Sequence, residues 1–262
     1  MTRSLVLVLS LATALSACGG TQSDAEVATT TADGTLQIAA GDAGTTLRVG
    51  DRTQRLPGRF VHARVAPGFA EDGRSRSGDQ IVLQDTANAT SADTSRFAII
   101  DSTLSAPPKL IQLPGDYDYD AVSPTINTLY LVSHFSTERP DQYAVRSYNV
   151  ATGTLDEQIV ADKSAIAEGP MAGQPISRAT NESGEWVYTA YRGEHAFVHA
   201  LNTVNKFAVC IDLPHAVETV SDWELRLDEA RGMLTATSPA TGAVADLDTT
   251  NFTATVVRDA RA

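Results

Sequence analysis

Tyr148-Asn149-Val150-Ala151-Thr152-Gly153-Thr154 sets an apolar residue, an Asn and a Thr/Gly-rich turn between two β-like runs. The pattern returns as Leu201-Asn202-Thr203-Val204-Asn205-Lys206-Phe207 and as Leu247-Asp248-Thr249-Thr250-Asn251-Phe252-Thr253, and more loosely as Ile100-Asp101-Ser102-Thr103. A short Asn or Asp side chain can accept hydrogen bonds from backbone amides two residues on, so each copy reads as a capped turn. The anchors Asp101, Asn149, Asn202 and Asp248 are spaced 48, 53 and 46 residues apart. A second theme precedes them. Ser123-Pro124-Thr125-Ile126-Asn127-Thr128-Leu129-Tyr130 parallels Asn181-Glu182-Ser183-Gly184-Glu185-Trp186-Val187-Tyr188, with Asp228-Glu229-Ala230-Arg231-Gly232-Met233-Leu234 as a weaker third copy.

Outward from these turns the chain reads as short β runs with almost no sustained helical period. The pattern predicts strands over 35–39, 46–49, 60–65, 80–84, 97–101, 109–113, 128–132 and 144–150. It continues with 186–191, 197–201, 208–213, 223–227, 233–238, 243–247 and 253–257. Asp156–Glu168 reads as either a short helix or a loop. A repeat near 46–53 residues holding about four strands is the spacing of propeller blades. Four periods end near residues 113, 160, 213 and 257, and segment 34–57 supplies further strands that could complete a ring against the C-terminal blade. The expected fold class is therefore all-β: a small β-propeller of about five four-stranded blades, one of them composite, over residues 34–262. Its turn themes resemble WD40-like and YVTN-like bacterial propellers, although no copy carries a full Gly-His…Trp-Asp signature.

The N-terminus has a different character. Arg3 precedes an apolar run, Leu5–Leu15, which closes on Leu15-Ser16-Ala17-Cys18 and then Gly19-Gly20. The run has the length of a signal-peptide core and falls well short of the roughly 20 residues that span a bilayer. The four residues ending at Cys18 resemble the lipobox of bacterial lipoproteins. That resemblance implies that residues 1–17 are a signal peptide and that Cys18 is the lipidated residue. Acyl chains such as palmitate would then hold the protein on the extracytoplasmic face of the cell membrane, in the cell envelope. Residues 18–33 are small and polar and read as a flexible linker with a reach of about 20 Å.

Charge narrows the partners. Twenty basic residues against 32 acidic ones give a formal net charge of −12. Such a surface does not suit nucleic acid, whose phosphates need clustered Lys and Arg, nor electrostatic docking on anionic lipid. The two cysteines are Cys18 and Cys210. Lipidation of the first leaves Cys210 alone among apolar neighbours, where a thiol is buried and inert.

No motif announces chemistry. His195 and His199 are four residues apart, a zinc-binding spacing on a helix, but here they fall on a turn and a strand. The expectation is that His199 shares a face with Phe197 and Leu201 while His195 stays in the loop. His62, His134 and His215 have no close partner in sequence. Asp116-Tyr117-Asp118-Tyr119-Asp120 reads as a solvated loop between blades; on a strand its three carboxylates would share one face and suit a hard cation. No Gly-x-Ser-x-Gly elbow or phosphate loop occurs, and Ser177, Ser183 and Ser221 lie in turn-like stretches. Trp186, Tyr188, Tyr191, Phe197 and Trp223 read mainly as packing between blades, with one or two available to line a central mouth and stack on a sugar or peptide ring. The reading is a membrane-anchored binding or scaffold protein for an extracytoplasmic protein or small ligand, with no catalytic residue, metal ligand or cofactor assigned. The alternative is a metal-assisted, lactonase-like propeller hydrolase with inner-strand carboxylates as ligands.

Overall fold

The computed structural model describes residues 27–30, 36–70, 72–86, 94–134, 142–160, 171–193, 195–214 and 222–259. Cys18, the apolar leader, Glu194, His215 and Ser221 lie outside the described residues.

Five antiparallel four-stranded sheets follow one another along the chain, each built from one continuous segment. Blade I comprises β1 (Val27–Thr30), β2 (Gln37–Gly41), β3 (Gly44–Val49) and β4 (Arg52–Leu56). Blade II comprises β5 (Phe60–His62), β6 (Gln80–Asp85), β7 (Thr94–Asp101) and β8 (Lys109–Pro114). Blade III comprises β9 (Tyr117–Val122), β10 (Thr128–His134), β11 (Gln142–Asn149) and β12 (Thr154–Ile159), with β13 (Met171–Ala172) added beside β11. Blade IV comprises β14 (Gln174–Thr180), β15 (Trp186–Arg192), β16 (Phe197–Asn202) and β17 (Phe207–Asp212). Blade V comprises β18 (Glu224–Asp228), β19 (Met233–Thr237), β20 (Val244–Asp248) and β21 (Thr253–Arg258). The fold is a β-propeller.

Two boundaries differ from the sequence expectation. Among the described residues no blade is composite: β1 pairs with β2 in register from Val27↔Ala40 to Thr30↔Gln37, so blade I has four strands from the N-terminal segment. That strand lies inside the stretch expected to be linker. Its Val-Ala-Thr-Thr run needs only backbone pairing to become a strand. The start of Asp156–Glu168, expected as helix or loop, belongs to strand Thr154–Ile159 on the outer side of blade III, and its residues 161–168 lie outside the described residues.

Apolar seams join the blades in series. Leu36, Ile38, Leu47 and Leu56 of blade I meet Phe60, Ile81, Leu83 and Ile100 of blade II. Val82, Phe97 and Ile111 meet Tyr119, Leu129 and Leu131 of blade III. Tyr130 and Val145 meet Val187 and Leu201 of blade IV. Val198, Ala200 and Ile211 meet Trp223, Leu234 and Leu247 of blade V. The burial pattern of each strand records its place. Strand β10, held between two neighbours, is buried at six successive residues, whereas β19 and β20 alternate buried with half-buried positions. On the far side of blade V stand Glu224, Arg226 and the hydrogen-bonded pair Thr235–Asp246 (2.7 Å); on that of blade I stand Gln37, Arg48, Thr53 and Arg55. Among the described residues no apolar core joins blade V to blade I.

The repeated turns do what their residues dictate. Asn149 Oδ1 accepts from the amides of Ala151 and Thr152 (both 3.0 Å), and Asn202 Oδ1 from Val204 and Asn205 (3.1 and 2.7 Å). Asp248 Oδ1 repeats the arrangement with Thr250 and Asn251 (2.7 and 3.1 Å). In the hairpin between the first two strands of a blade, the residue closing the turn adopts the left-handed conformation. Gly184 and Gly232 do so at φ 74° and 60° in blades IV and V, but Ile126 takes the same place in blade III at φ 52°.

Candidate functional site

The Asp116–Asp120 stretch, expected in a loop, is for the most part the innermost strand of blade III. A bulge shifts the register between Tyr130, opposite Ala121, and Leu131, opposite Tyr119, which leaves Asp120 unpaired. An extra residue breaks the two-residue alternation, so Asp118 and Asp120 part company. Tyr117 and Tyr119 pack into the seam with blade II.

Asp120 turns into the protein and is fully buried. Its Oδ1 lies 3.1 Å from an Arg178 guanidinium nitrogen of β14, and Arg178 Nε lies 3.3 Å from Asp72 Oδ2. Asp72 arrives from segment 63–79 of blade II. That strap also donates the Arg76 amide to the Pro124 carbonyl of blade III (2.7 Å). Blades II, III and IV thus converge on one guanidinium. Burial works against the charge on Arg178, but Asp72 and Asp120 outweigh it and hold its pKa above the ordinary value. Burial raises the Asp72 carboxyl, with Arg178 pulling the other way.

Asp118 turns outward. It accepts from Gln84 Nε2 at 2.7 Å and lies 3.1 Å from His134 Nε2. These hydrogen bonds, His134 foremost, hold its carboxyl below the usual range. The three residues stand in a cleft of about 650 Å³ shared by blades II, III and IV. One wall is the strap from Arg64 to Gly68, another is Asp116–Asp118, and a third is Gly173–Pro175. Arg96 also lines it, but its guanidinium is paired with the buried carboxylate of Asp85.

Tyr143 of β11 and Tyr191 of β15 join Tyr117 in the aromatic part of the lining. Their rings stack at 5.4 Å and 29°, and Phe197 stacks behind Tyr191 at 5.2 Å and 9°. Tyr143 is 3% exposed and Tyr191 2%. Tyr191 was among the aromatics singled out in the sequence; Tyr143 was not. Trp186, Tyr188 and Trp223 pack in the seam between blades IV and V, away from the cleft.

The remaining candidates disperse. His199 is buried on β16, opposite Cys210 and edge-on to Tyr191 at 6.4 Å, while His195 is exposed in the preceding loop. Ser177 Oγ accepts from the Leu225 amide (2.8 Å), and Ser183 Oγ from Asn181 Nδ2 (2.9 Å) in its turn. Among the described residues no three His, Cys, Asp or Glu side chains are arranged to hold a metal ion. Asp72, Asp85, Arg178 and Tyr143 were missed by the sequence reading. They share no sequence signal: Asp72 follows Glu71 and Asp85 stands between Gln84 and Thr86, so chain topology alone brings them together.

No protein-family model matches the chain, and no curated protein is similar to it in sequence. Solved structures share the fold at very low identity. A TolB-type protein from Agrobacterium tumefaciens is 12% identical with a TM-score of 0.45, covering 91% of this chain and 82% of its own. An oligogalacturonate lyase in complex with manganese is 9% identical at 0.50, over 88% and 64%. The Dos1 propeller is 8% identical at 0.52, over 87% and 56%. The chain thus spans less than two thirds of the last two structures.

Proposed function

We propose that this chain is a lipid-anchored, extracytoplasmic binding protein that presents the cleft between blades II, III and IV to a small ligand. The carrying observation is the cleft itself: a concave site where Tyr, Val, Ala and Pro side chains alternate with charged and polar ones such as Arg64, Asp118 and His134, a build suited to a small ligand with polar groups. Anchoring is supported by the short apolar run ending in Leu15-Ser16-Ala17-Cys18. Among the described residues no helix is long and apolar enough to cross a membrane. The net charge of −12 favours a ligand or protein partner over nucleic acid. Metabolic labelling with palmitate tests the anchor. Wild type should take up label and Cys18→Ala should not; equal incorporation by both would refute it.

A hydrolytic reading draws support from His134 and Asp118, an imidazole and a carboxylate facing one cleft. Its metal-assisted form is disfavoured where blades II, III and IV converge, because the Arg178 guanidinium already engages both Asp72 and Asp120. Turnover of p-nitrophenyl butyrate that disappears in His134→Asn would favour hydrolysis over simple binding.

A further inference from the structure

The linker expected over residues 18–33 ends early, because β1 already starts at Val27, nine residues after Cys18. Nine residues span at most about 30 Å when fully extended. A lipid on Cys18 is therefore tied closely to whichever end of the propeller holds Val27.

The strand register fixes that end. Val27 lies opposite Ala40, Ala40 opposite Thr45, and Thr45 opposite Leu56, so these four residues mark one end of blade I. The Thr45 hydroxyl accepts from the Phe60 amide at 2.7 Å and donates to the Gly58 carbonyl at 2.8 Å, which ties that end to the start of β5. Phe60 lies opposite Asp85, and Asp85 lines the cleft. With neighbouring strands about 4.8 Å apart, the path from Val27 to Asp85 is about 20 Å long. Tyr117 and Gln174, the first residues of β9 and β14, also line the cleft, so the first strands of blades I to IV all start at the end where it opens. The capped turns lie at the other end. Strand β11 passes Tyr143 in the cleft and closes at Asn149, and its eight residues carry the chain about 25 Å away. To set those turns on a bilayer, the nine residues after Cys18 would first have to run the length of a blade, which takes most of their reach.

We infer that the cleft-bearing end of the propeller is the end held against the bilayer, so that the cleft opens toward the lipid headgroups and meets ligands of the membrane surface. This rests on the lipid-anchor reading above and adds an orientation that the anchor alone does not supply.

The test uses the full-length lipidated protein in a Cys210→Ala background, with one added thiol to carry a maleimide dye. Asp116→Cys marks the cleft end of blade III and Ala151→Cys its far end; both positions are exposed. The protein is placed in phosphatidylethanolamine/phosphatidylglycerol vesicles that carry an acceptor dye on the headgroups. Energy transfer from the Asp116→Cys label should exceed that from the Ala151→Cys label by about twofold or more, given roughly 25 Å between the two ends. Inserting about 20 Gly/Ser residues after Gly20 should make the two equal, because such a coil adds about 25 Å of root-mean-square reach. Equal transfer at the native length, or more from Ala151→Cys, overturns the orientation and leaves the anchor standing, since transfer itself reports attachment. A difference that survives the insertion overturns the short tether as its cause. No transfer from either label overturns anchor and orientation together.

Discussion

Arg178 of blade IV and Asp120 of blade III meet at 3.1 Å with both side chains shut off from water, and a second carboxylate, Asp72, reaches the same guanidinium from blade II. Removing one partner from a buried ion pair strands the other's charge, which typically costs 3–5 kcal/mol. Arg178→Met should therefore lower unfolding stability by about 3–5 kcal/mol, because two carboxylates are left facing each other. Adding Asp72→Asn and Asp120→Asn to that variant should recover more than half of the loss. Urea denaturation of the single and triple variants measures both numbers. A loss under about 1 kcal/mol, the size of an exposed pair, would show that this contact contributes little.

Ile126 offers a sharper test, because backbone and side chain pull in opposite directions. Its φ of 52° is where blades IV and V use Gly184 and Gly232, yet its side chain is 1% exposed in the seam between blades II and III. Left-handed backbone costs an L-residue about 1–2 kcal/mol. Both Ile126→Ala and Ile126→Gly lose the buried side chain, but only glycine also relieves the backbone. The glycine variant should be the more stable by about 1 kcal/mol, the reverse of the usual order in a strand. Denaturation midpoints that place alanine above glycine would contradict it.

Acid should destabilise the fold, with a sign set by the turns. Asp101 is held at about 2 by the hydroxyls of Ser105 and Thr103 and by the Thr103 amide. Side-chain hydroxyls likewise lower Asp79, Asp156 and Asp222, and backbone amides lower Asp248. A carboxylate whose pKa drops on folding adds stability that is complete above its unfolded value near 3.9 and vanishes as pH falls toward the folded one. Asp72, raised by burial, acts in the opposite sense, but it is outnumbered. Stability should decline between about pH 4 and pH 2. Asp101→Asn should flatten that decline while keeping the turn, since Asn149 and Asn202 cap theirs. A slope identical to wild type would show that Asp101 is not held as described.

The seams can be weighed against the surface with one residue type. Leu234 is fully buried between blades IV and V, while Leu110 is 52% exposed on β8. Leu234→Ala should cost about 2–5 kcal/mol, and Leu110→Ala no more than about 0.5 kcal/mol. Chemical denaturation of the two variants side by side would show the difference, and equal losses would be incompatible with the seam.

The capped turns were readable in the sequence because they are local: an Asn or Asp and the two amides it caps lie within three residues. Blade ends expected near 113, 160, 213 and 257 fall at Pro114, Ile159, Asp212 and Arg258. What escaped were some of the first and last strands of the blades: β1, β4, β9, β12 and β14. Strand β9 carries two aspartates and β14 an arginine, residues that read as loop until the neighbouring blade supplies the opposite charge. Strands β4 and β12 lie on the outer side of their blades, where solvent removes the apolar alternation that marks a strand. The candidate site was less legible still. Arg178 and Asp120 are 58 positions apart in the chain, and Tyr143 meets Tyr191 only because two blades abut.

The hydrophilic outer sides of the first and last sheets carry a dynamic consequence. The three middle sheets are gripped from two directions, but each terminal one is gripped from one, as in a stack of repeats with capped ends. Opening should then be cheapest at the extremities and dearest at the centre, so that amide deuteration proceeds inward from both termini. The cleft between blades II, III and IV should then exchange most slowly, and a terminal sheet could detach transiently while that cleft keeps its shape.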